Sequence, residues 1–150
     1  DKKDYRVYAI LGDGEIQEGQ IWEAAMAAGN YQLNNLCAIV DNNNIQIDGT
    51  IEEIMSPYPI DKKFEAFKFN VVTCDGHDMQ SICHAFAEAR KETEKPTVII
   101  AKTIKGKGVS FMENNNEWHG NDPNTEQYLK AAAELDAEIA RAEKEAASNE

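Results

Sequence analysis

The sequence predicts an α/β fold, a parallel sheet flanked by helices. Three observations carry this. Two near-continuous apolar runs, residues 7–11 and 36–40, bracket an alanine-rich stretch, residues 15–29, spaced like a helix. Each run ends in a tight polar turn, Gly12-Asp13-Gly14 after the first and Asn42-Asn43-Asn44 after the second. The same strand–turn–helix grammar returns at residues 70–93 and leads into a further apolar run at 97–101.

The first strand is expected over residues 5–11, with Arg6 ahead of an apolar run typical of a parallel strand covered on both faces. The helix over 17–28 carries Ile21, Ala24, Ala25 and Ala28 at helical spacing, and Gly29-Asn30 ends it. Its alanines suit ordinary sheet packing and a subunit interface equally. A second strand is expected over 36–41. Asp48-Gly49 is a turn signal, and residues 50–59 read as loop with at most one helical turn, because Pro57 and Pro59 forbid a long helix. Asp61 is placed as the cap of a helix over 62–68. Residues 70–74 form a third strand. Asp75-Gly76-His77-Asp78 is a turn with Asp78 as N-cap rather than a second metal site, and the helix that follows runs over 79–93. A fourth strand spans 97–101, a long polar loop 102–121, and a charged, alanine-rich helix 124–147. The domain reading is 1–123 for the α/β unit and 124–150 for a helical extension packing on it.

The 150 residues read as one compact unit, and 42% hydrophobic residues supply a core. A formal charge of −12 speaks against nucleic acid or an anionic membrane as partner. Cys37, Cys74 and Cys83 show no C-x-x-C spacing and no even pairing, which points to buried free thiols in a reducing cytoplasm. No signal peptide and no apolar stretch of about 18 residues is present. Asp1-Lys2-Lys3-Asp4 lacks a methionine and leads at once into a central-looking strand, as a piece of a longer polypeptide would.

A right-handed crossover puts both polar turns at one sheet edge, so Asp13 and Asn43, thirty positions apart, are expected to be neighbours. A carboxylate and an amide carbonyl are hard oxygen ligands suited to Mg²⁺ or Ca²⁺. In an extended segment side chain and carbonyl can face one ion, which adds the Ile45 carbonyl to Asp13 and Asn43 as a third metal ligand. Gly12 and Gly14 let the backbone turn and let a bulky anion approach. The following helix is expected to aim its free amides at the same place. Together these describe a site for a diphosphate-bearing cofactor. A dinucleotide fingerprint fails because Gln17 stands where the third glycine belongs, no Gly-Lys-Ser/Thr exists, and an EF-hand starting at Asp41 would need a ligand at Ile45 and glycine at Gln46.

Gly12-Asp13-Gly14, a gap of about thirty residues and Asn42-Asn43 resemble the thiamine diphosphate signature. The finer text resembles transketolases: Gln17-Glu18-Gly19, Glu23-Ala24, Asp41-Asn42-Asn43 with Ile45-Gln46-Ile47-Asp48-Gly49, the stretch Lys102-Thr103-Ile104-Lys105-Gly106-Lys107-Gly108, and Trp118-His119-Gly120. The resemblance spans about residues 7–120 and leaves the last helix outside. It implies the thiamine diphosphate-binding fold, truncated at its N-terminus, and cofactor contacts from Gly12, Asp13, Gly14, Glu15, Asn43, Ile45, Ile47 and His119. It implies transfer of a two-carbon ketol unit from a ketose phosphate to an aldose phosphate, with thiamine diphosphate and Mg²⁺ (or Ca²⁺). His119 would lie over the diphosphate and face the substrate. Glu18 and Glu23 would join a carboxylate chain linking two cofactors across a subunit interface; without the resemblance, Glu18 reads as a helix cap. Lys105-Gly106-Lys107-Gly108 reads either as a phosphate contact or as a flexible hinge. The implied partners are a pyrimidine-binding domain or C-terminal transketolase subunit, sugar phosphates, and copies of the chain in a homodimer or a heterotetramer of split subunits. Deoxyxylulose-phosphate synthases, the α part of 2-oxoacid dehydrogenases and a non-catalytic Mg²⁺-phosphate module are the alternatives. The fragment alone is expected to be inactive.

Overall fold

The computed structural model describes residues 3–148, so Asp1-Lys2 of the methionine-less start lie outside it. The chain forms two compact units, Asp1–Thr103 and Ile104–Glu150. The division falls at 103/104, whereas the sequence reading placed it at 123/124. Its physical reason is local: Ser110 donates from both its N–H and its hydroxyl to the two carboxylate oxygens of Glu134, at 2.6 and 2.7 Å, which ties the polar loop to the last helix.

The first unit holds a four-stranded parallel sheet in the order β1-β2-β6-β5, built from β1 (Val7–Gly12), β2 (Leu36–Asn42), β5 (Asn70–Asp75) and β6 (Thr97–Lys102). Side chains of a strand alternate between faces, and the core splits accordingly. Ala38, Val40, Val98 and Ile100 face one layer with Ala25 and Ala28 of α1 (Gly19–Asn30) and Ile60 and Phe64 of α3 (Ile60–Ala66). Cys37, Ile39, Ile99 and Ala101 face the other with Ala85 and Ala89 of α4 (Met79–Lys91). β6 is buried from Thr97 through Ala101, as befits a central strand covered on both faces.

β1 departs from expectation. It is an edge strand among the described residues, with Val7, Tyr8 and Ile10 exposed, Ile10 at 76%. Only Leu11 packs on the α1 side of the core, and Tyr8 meets Phe86 edge-on. An apolar run reports what a strand can bury, not what lies beside it. Arg6 anchors the strand's start by donating to the carbonyls of Ala89, Arg90 and Glu92 at the end of α4, where a cation complements the helix dipole.

Four local expectations change. A short 3-10 helix (Glu15–Gln17) separates Asp13 from α1, so the free amides of α1 begin only at Gly19. Residues 45–50 form a two-residue hairpin, β3 (Ile45–Gln46) with β4 (Gly49–Thr50), followed by α2 (Ile51–Met55), whose N-cap Thr50 accepts from Glu53 N–H. Pro59, not Asp61, precedes α3, and Asp61 sits inside its first turn. Cys83 is exposed, while Cys37 and Cys74 are buried; burial raises both buried thiols above the ordinary range, and nearby Asp75 raises Cys74 further. Asp78 caps α4 as expected, accepting from Gln80 N–H.

The second unit consists of turns, a 3-10 helix (Asn116–His119) and α5 (Thr125–Ser148). No helix of the described residues is long and apolar enough to cross a membrane.

Gly29 is where α1 meets the segment after α3. A Cβ there would stand 1.8 Å from the Phe67 carbonyl oxygen, so the helix can approach only without a side chain. Gly29→Ala should therefore destabilise the first unit by about 1–3 kcal/mol or more. Urea unfolding measures this; an unchanged midpoint would refute the close packing of α1.

Candidate functional site

The sheet register brings the strand ends together. Gly12 pairs with Asp41, Asn42 with Lys102, and Asp75 with Lys102, all at the carboxyl edge. The α1 crossover covers one face and the α4 crossover the other, so the two halves meet between β2 and β6. In open α/β sheets ligands bind at such a change of direction.

Asp13 lies just past β1 and is only 1% exposed. Its Oδ2 accepts from Asn42 Nδ2 at 2.9 Å and from the Asn44 N–H at 2.5 Å. Its own N–H donates to the Asp41 carbonyl at 3.1 Å. The turn after β2 is thus strapped onto the turn after β1. Asn44 can sit there because it adopts φ +64°, a left-handed conformation asparagine tolerates.

The expected cofactor residues fall into place unevenly. Asn43 lies in the same turn; its Oδ1 accepts from Ile45 N–H at 3.0 Å and its Nδ2 reaches Asp41 Oδ1 at 3.4 Å. Ile45 starts the hairpin, and Ile47 sits exposed at its tip. Glu15 folds back so that its Oε2 accepts from Gly12 N–H at 3.0 Å. The amides of Gly12 and Asp13 are therefore engaged within the protein. Gly14 packs close to Gln46: a Cβ would come within 3.1 Å of Gln46 Cβ.

Glu18 occupies the N-cap position of α1 but makes no side-chain cap hydrogen bond, which removes the side-chain capping reading. Glu18 and Glu23 are both exposed, as are Ala24 and Ala27, while Ala25 and Ala28 face the sheet and Gly29 is buried against the segment after α3.

Sequence reasoning missed the residues that hold the site from behind. Asn42, 3% exposed, shares its Nδ2 between Asp13 and the Tyr58 hydroxyl, the latter at 2.9 Å. Its Oδ1 accepts from Lys102 Nζ and from Tyr58 Oη. Lys102 also lies 5.5 Å from the centre of the Tyr58 ring, a cation–π distance. Thr103 Oγ1 donates to Asp41 Oδ1. The end-of-strand positions of Asn42 and Lys102 could have signalled this; nothing local marks Tyr58.

The donor set suits a hard cation. It offers one carboxylate, asparagine carbonyls and a main-chain carbonyl, with no cluster of His, Cys, Asp and Glu among the described residues. One buried acceptor, Asn44 Oδ1, has no protein partner. Buried polar groups are normally satisfied, so an orphan acceptor beside Asp13 fits a place where a hydrated ion or other ligand completes the bonding.

In the second unit, His119 ends the 3-10 helix and is exposed. Lys105 Nζ stands 3.3 Å from its Nδ1. In the Nε2-protonated tautomer Nδ1 accepts from this ammonium, which can only donate. Trp118 fixes the turn: Nε1 donates to the Phe111 carbonyl at 3.0 Å, and the two rings stack edge-on at 5.3 Å. Gly106 and Gly108 take φ +73° and +95°, and a Cβ on Gly106 would strike the Met112 carbonyl at 2.5 Å. The Lys105–Gly108 stretch is thus a folded turn, closed by Asn114 N–H on the Lys105 carbonyl, rather than a loose hinge.

Comparison with known proteins follows the same residues. A family model described as the thiamine diphosphate-binding domain of transketolase matches residues 1–142, reaching well into the last helix, which the motif resemblance had left out. The chain is 44% identical over 145 residues to one of the subunits of apulose-4-phosphate transketolase from Phocaeicola vulgatus, covering 97% of this chain and 52% of that protein. It is 44% identical over 132 residues to 6-deoxy-6-sulfo-D-fructose transketolase subunit SqwG of a Clostridium species, covering 88% and 48%. The crystal structure of transketolase from Campylobacter jejuni superposes with a TM-score of 0.80 at 38% identity, over 85% of this chain and 20% of that one. The chain thus spans about half the length of the curated subunits it matches.

Proposed function

The chain belongs to the transketolase family through its thiamine diphosphate-binding domain, and from that premise we propose that it is the diphosphate-binding part of a transketolase. The enzyme would move a two-carbon ketol unit from a ketose phosphate to an aldose phosphate with thiamine diphosphate and Mg²⁺. The observation that carries this reading is the buried Asp13 carboxylate at the carboxyl edge of the sheet, strapped to the asparagine turn.

The residues present fit the cofactor. The orphan Asn44 Oδ1 and the hard oxygen set leave bonding capacity for a hydrated divalent ion. Asp13, Asn43 Oδ1 and the Ile45 carbonyl would hold that ion, and the ion would hold the diphosphate. Thiamine diphosphate, when bound, supplies the carbon–carbon bond chemistry. The protein's own part is orientation and proton handling. His119, in the Nε2-protonated tautomer, can donate to a phosphate oxygen or a substrate hydroxyl.

The relatives named as single subunits of a transketolase suggest a split enzyme, in which a pyrimidine-binding partner completes the site. The open edge of β1, with Ile10 exposed, suits a chain that is buried further in its assembly. Glu18 and Glu23, exposed here, would become buried across a subunit interface and join a chain of carboxylates linking two cofactors.

Three measurements test this reading. Calorimetric titration of the complete enzyme with thiamine diphosphate should show uptake that depends on Mg²⁺, and Asp13→Ala should abolish that Mg²⁺-dependent binding while circular dichroism shows the fold retained. Mg²⁺-dependent binding by the variant at wild-type affinity would reject the metal assignment. In the reconstituted enzyme, His119→Ala should lower turnover by about 10²-fold or less, since it assists rather than carries the chemistry. Full turnover with every donor would remove His119 from the site. Glu18→Gln should weaken cofactor binding or assembly in the reconstituted enzyme and leave the isolated chain folded; wild-type affinity and assembly would end the carboxylate-chain reading.

A further inference from the structure

Lys102 is the cation placed closest to the network behind Asp13, and its hydrogen bond goes to an amide. Its Nζ donates to Asn42 Oδ1 and stands over the Tyr58 ring, while Asn42 Nδ2 donates to Asp13 Oδ2. The orientation of the Asn42 carboxamide is fixed by chemistry. An ammonium has only protons to offer and an ionised carboxylate only lone pairs, so Oδ1 must face Lys102 and Nδ2 must face Asp13. The Tyr58 hydroxyl fits the same orientation, accepting from Nδ2 at 2.9 Å and donating to Oδ1 at 3.2 Å. Turning the amide over would set two donors against each other on one side and two acceptors on the other.

We propose that Asn42 is a positioning residue that keeps the Lys102 charge off the Asp13 carboxylate, so that this carboxylate stays available to a divalent cation. The inference rests on the reading of the site given above and adds the residues that prepare it. Asp13 is 1% exposed and Asn42 3%, so water screens little here. A lysine paired directly with Asp13 would compete with a metal for its only carboxylate. An amide between the two passes on a hydrogen bond without passing on a full charge. Both hydrogen bonds to the Asp13 side chain fall on Oδ2, which leaves Oδ1 to face a ligand. Tyr58 acts one step further back, clamping the amide by both its atoms and giving the Lys102 ammonium an aromatic face to rest on.

The test is a double-mutant cycle in the reconstituted enzyme, read as Mg²⁺ affinity by isothermal titration in saturating thiamine diphosphate. Asn42→Leu keeps the side-chain size and removes the amide, so Lys102 is free to pair with Asp13. With Lys102 present the substitution should weaken Mg²⁺ binding by about tenfold or more, and in a Lys102→Met background by no more than about twofold, a coupling of the size seen between residues of one network. A crystal structure of Asn42→Leu should show Lys102 Nζ hydrogen-bonded to Asp13. Should Asn42→Leu fail to fold by circular dichroism, Tyr58→Phe removes only the clamp and should show a smaller loss that likewise vanishes in the Lys102→Met background. A merely structural role for Asn42 would cost the same in both backgrounds, and that result overturns the proposal while leaving the function standing. Reconstituted wild-type enzyme that takes up no Mg²⁺ overturns the functional reading, and this inference with it.

Discussion

A carboxylate buried at the end of a parallel sheet has to be answered by donors, and in this chain the donors come from a strand thirty residues later. Asn42 Nδ2 and the Asn44 amide both close on Asp13 Oδ2. An unanswered buried carboxylate is costly, and a buried amide without an acceptor costs about 1–3 kcal/mol, so each side of this contact enforces the other. The sheet register makes the meeting possible: Gly12 lies opposite Asp41, and Asn42 opposite Lys102. The asparagine turn then carries Asn43 and Ile45 to the same edge, with the hairpin holding them in position.

The two layers that cover the sheet serve this placement in different ways. On one side α1 comes close through Ala25, Ala28 and Gly29, and Trp22 reaches over to Phe64 and Phe67 at 5.2 and 6.1 Å. That close packing sets where the chain leaves β1 and returns to β2. On the other side α4 packs through Ala85 and Ala89, and Arg6 ties the start of β1 to the last carbonyls of that helix. The strand that delivers Asp13 is therefore anchored at its amino end by a cation and at its carboxyl end by the site itself.

Much of this was legible in the sequence. The turns that carry Asp13 and Asn43 could be brought together because both follow apolar runs at the same distance from strand ends, and short crossovers leave few places for such turns to go; that Asn42 and Asn44, not Asn43, bond to Asp13 could not be read. Asp78 could be named as a cap because an aspartate before a helical pattern has one dominant use. Other features had no local signature. Tyr58 lies in a proline-flanked stretch without periodicity, and its partner Asn42 is sixteen residues away in sequence. The hairpin at 45–50 has strands of two residues, too short to show alternation. The apolar run of β1 matched a covered strand, yet Ile10 is exposed, because a side chain's hydrophobicity says nothing about whether a neighbour is present. The free amides expected of the following helix lie further along, because a 3-10 turn at Glu15–Gln17 intervenes before α1 begins at Gly19.

The contacts from Lys102 to Asn42 and from Thr103 to Asp41 bear on how such a site comes into being. They span 60 and 62 residues, and they lie at the very end of the first unit. Asp13 and its asparagine turn leave the ribosome long before β6 does. Until residues 97–103 emerge, β2 lacks the central strand beside it, and the amide that faces Asp13 has no lysine to orient it. Parallel pairings of this span close late, after the loop entropy of the whole unit has been met. A nascent chain would thus carry both turns for some time before their contacts with the central strand exist, and the ion site proposed above would be completed in one step with that strand.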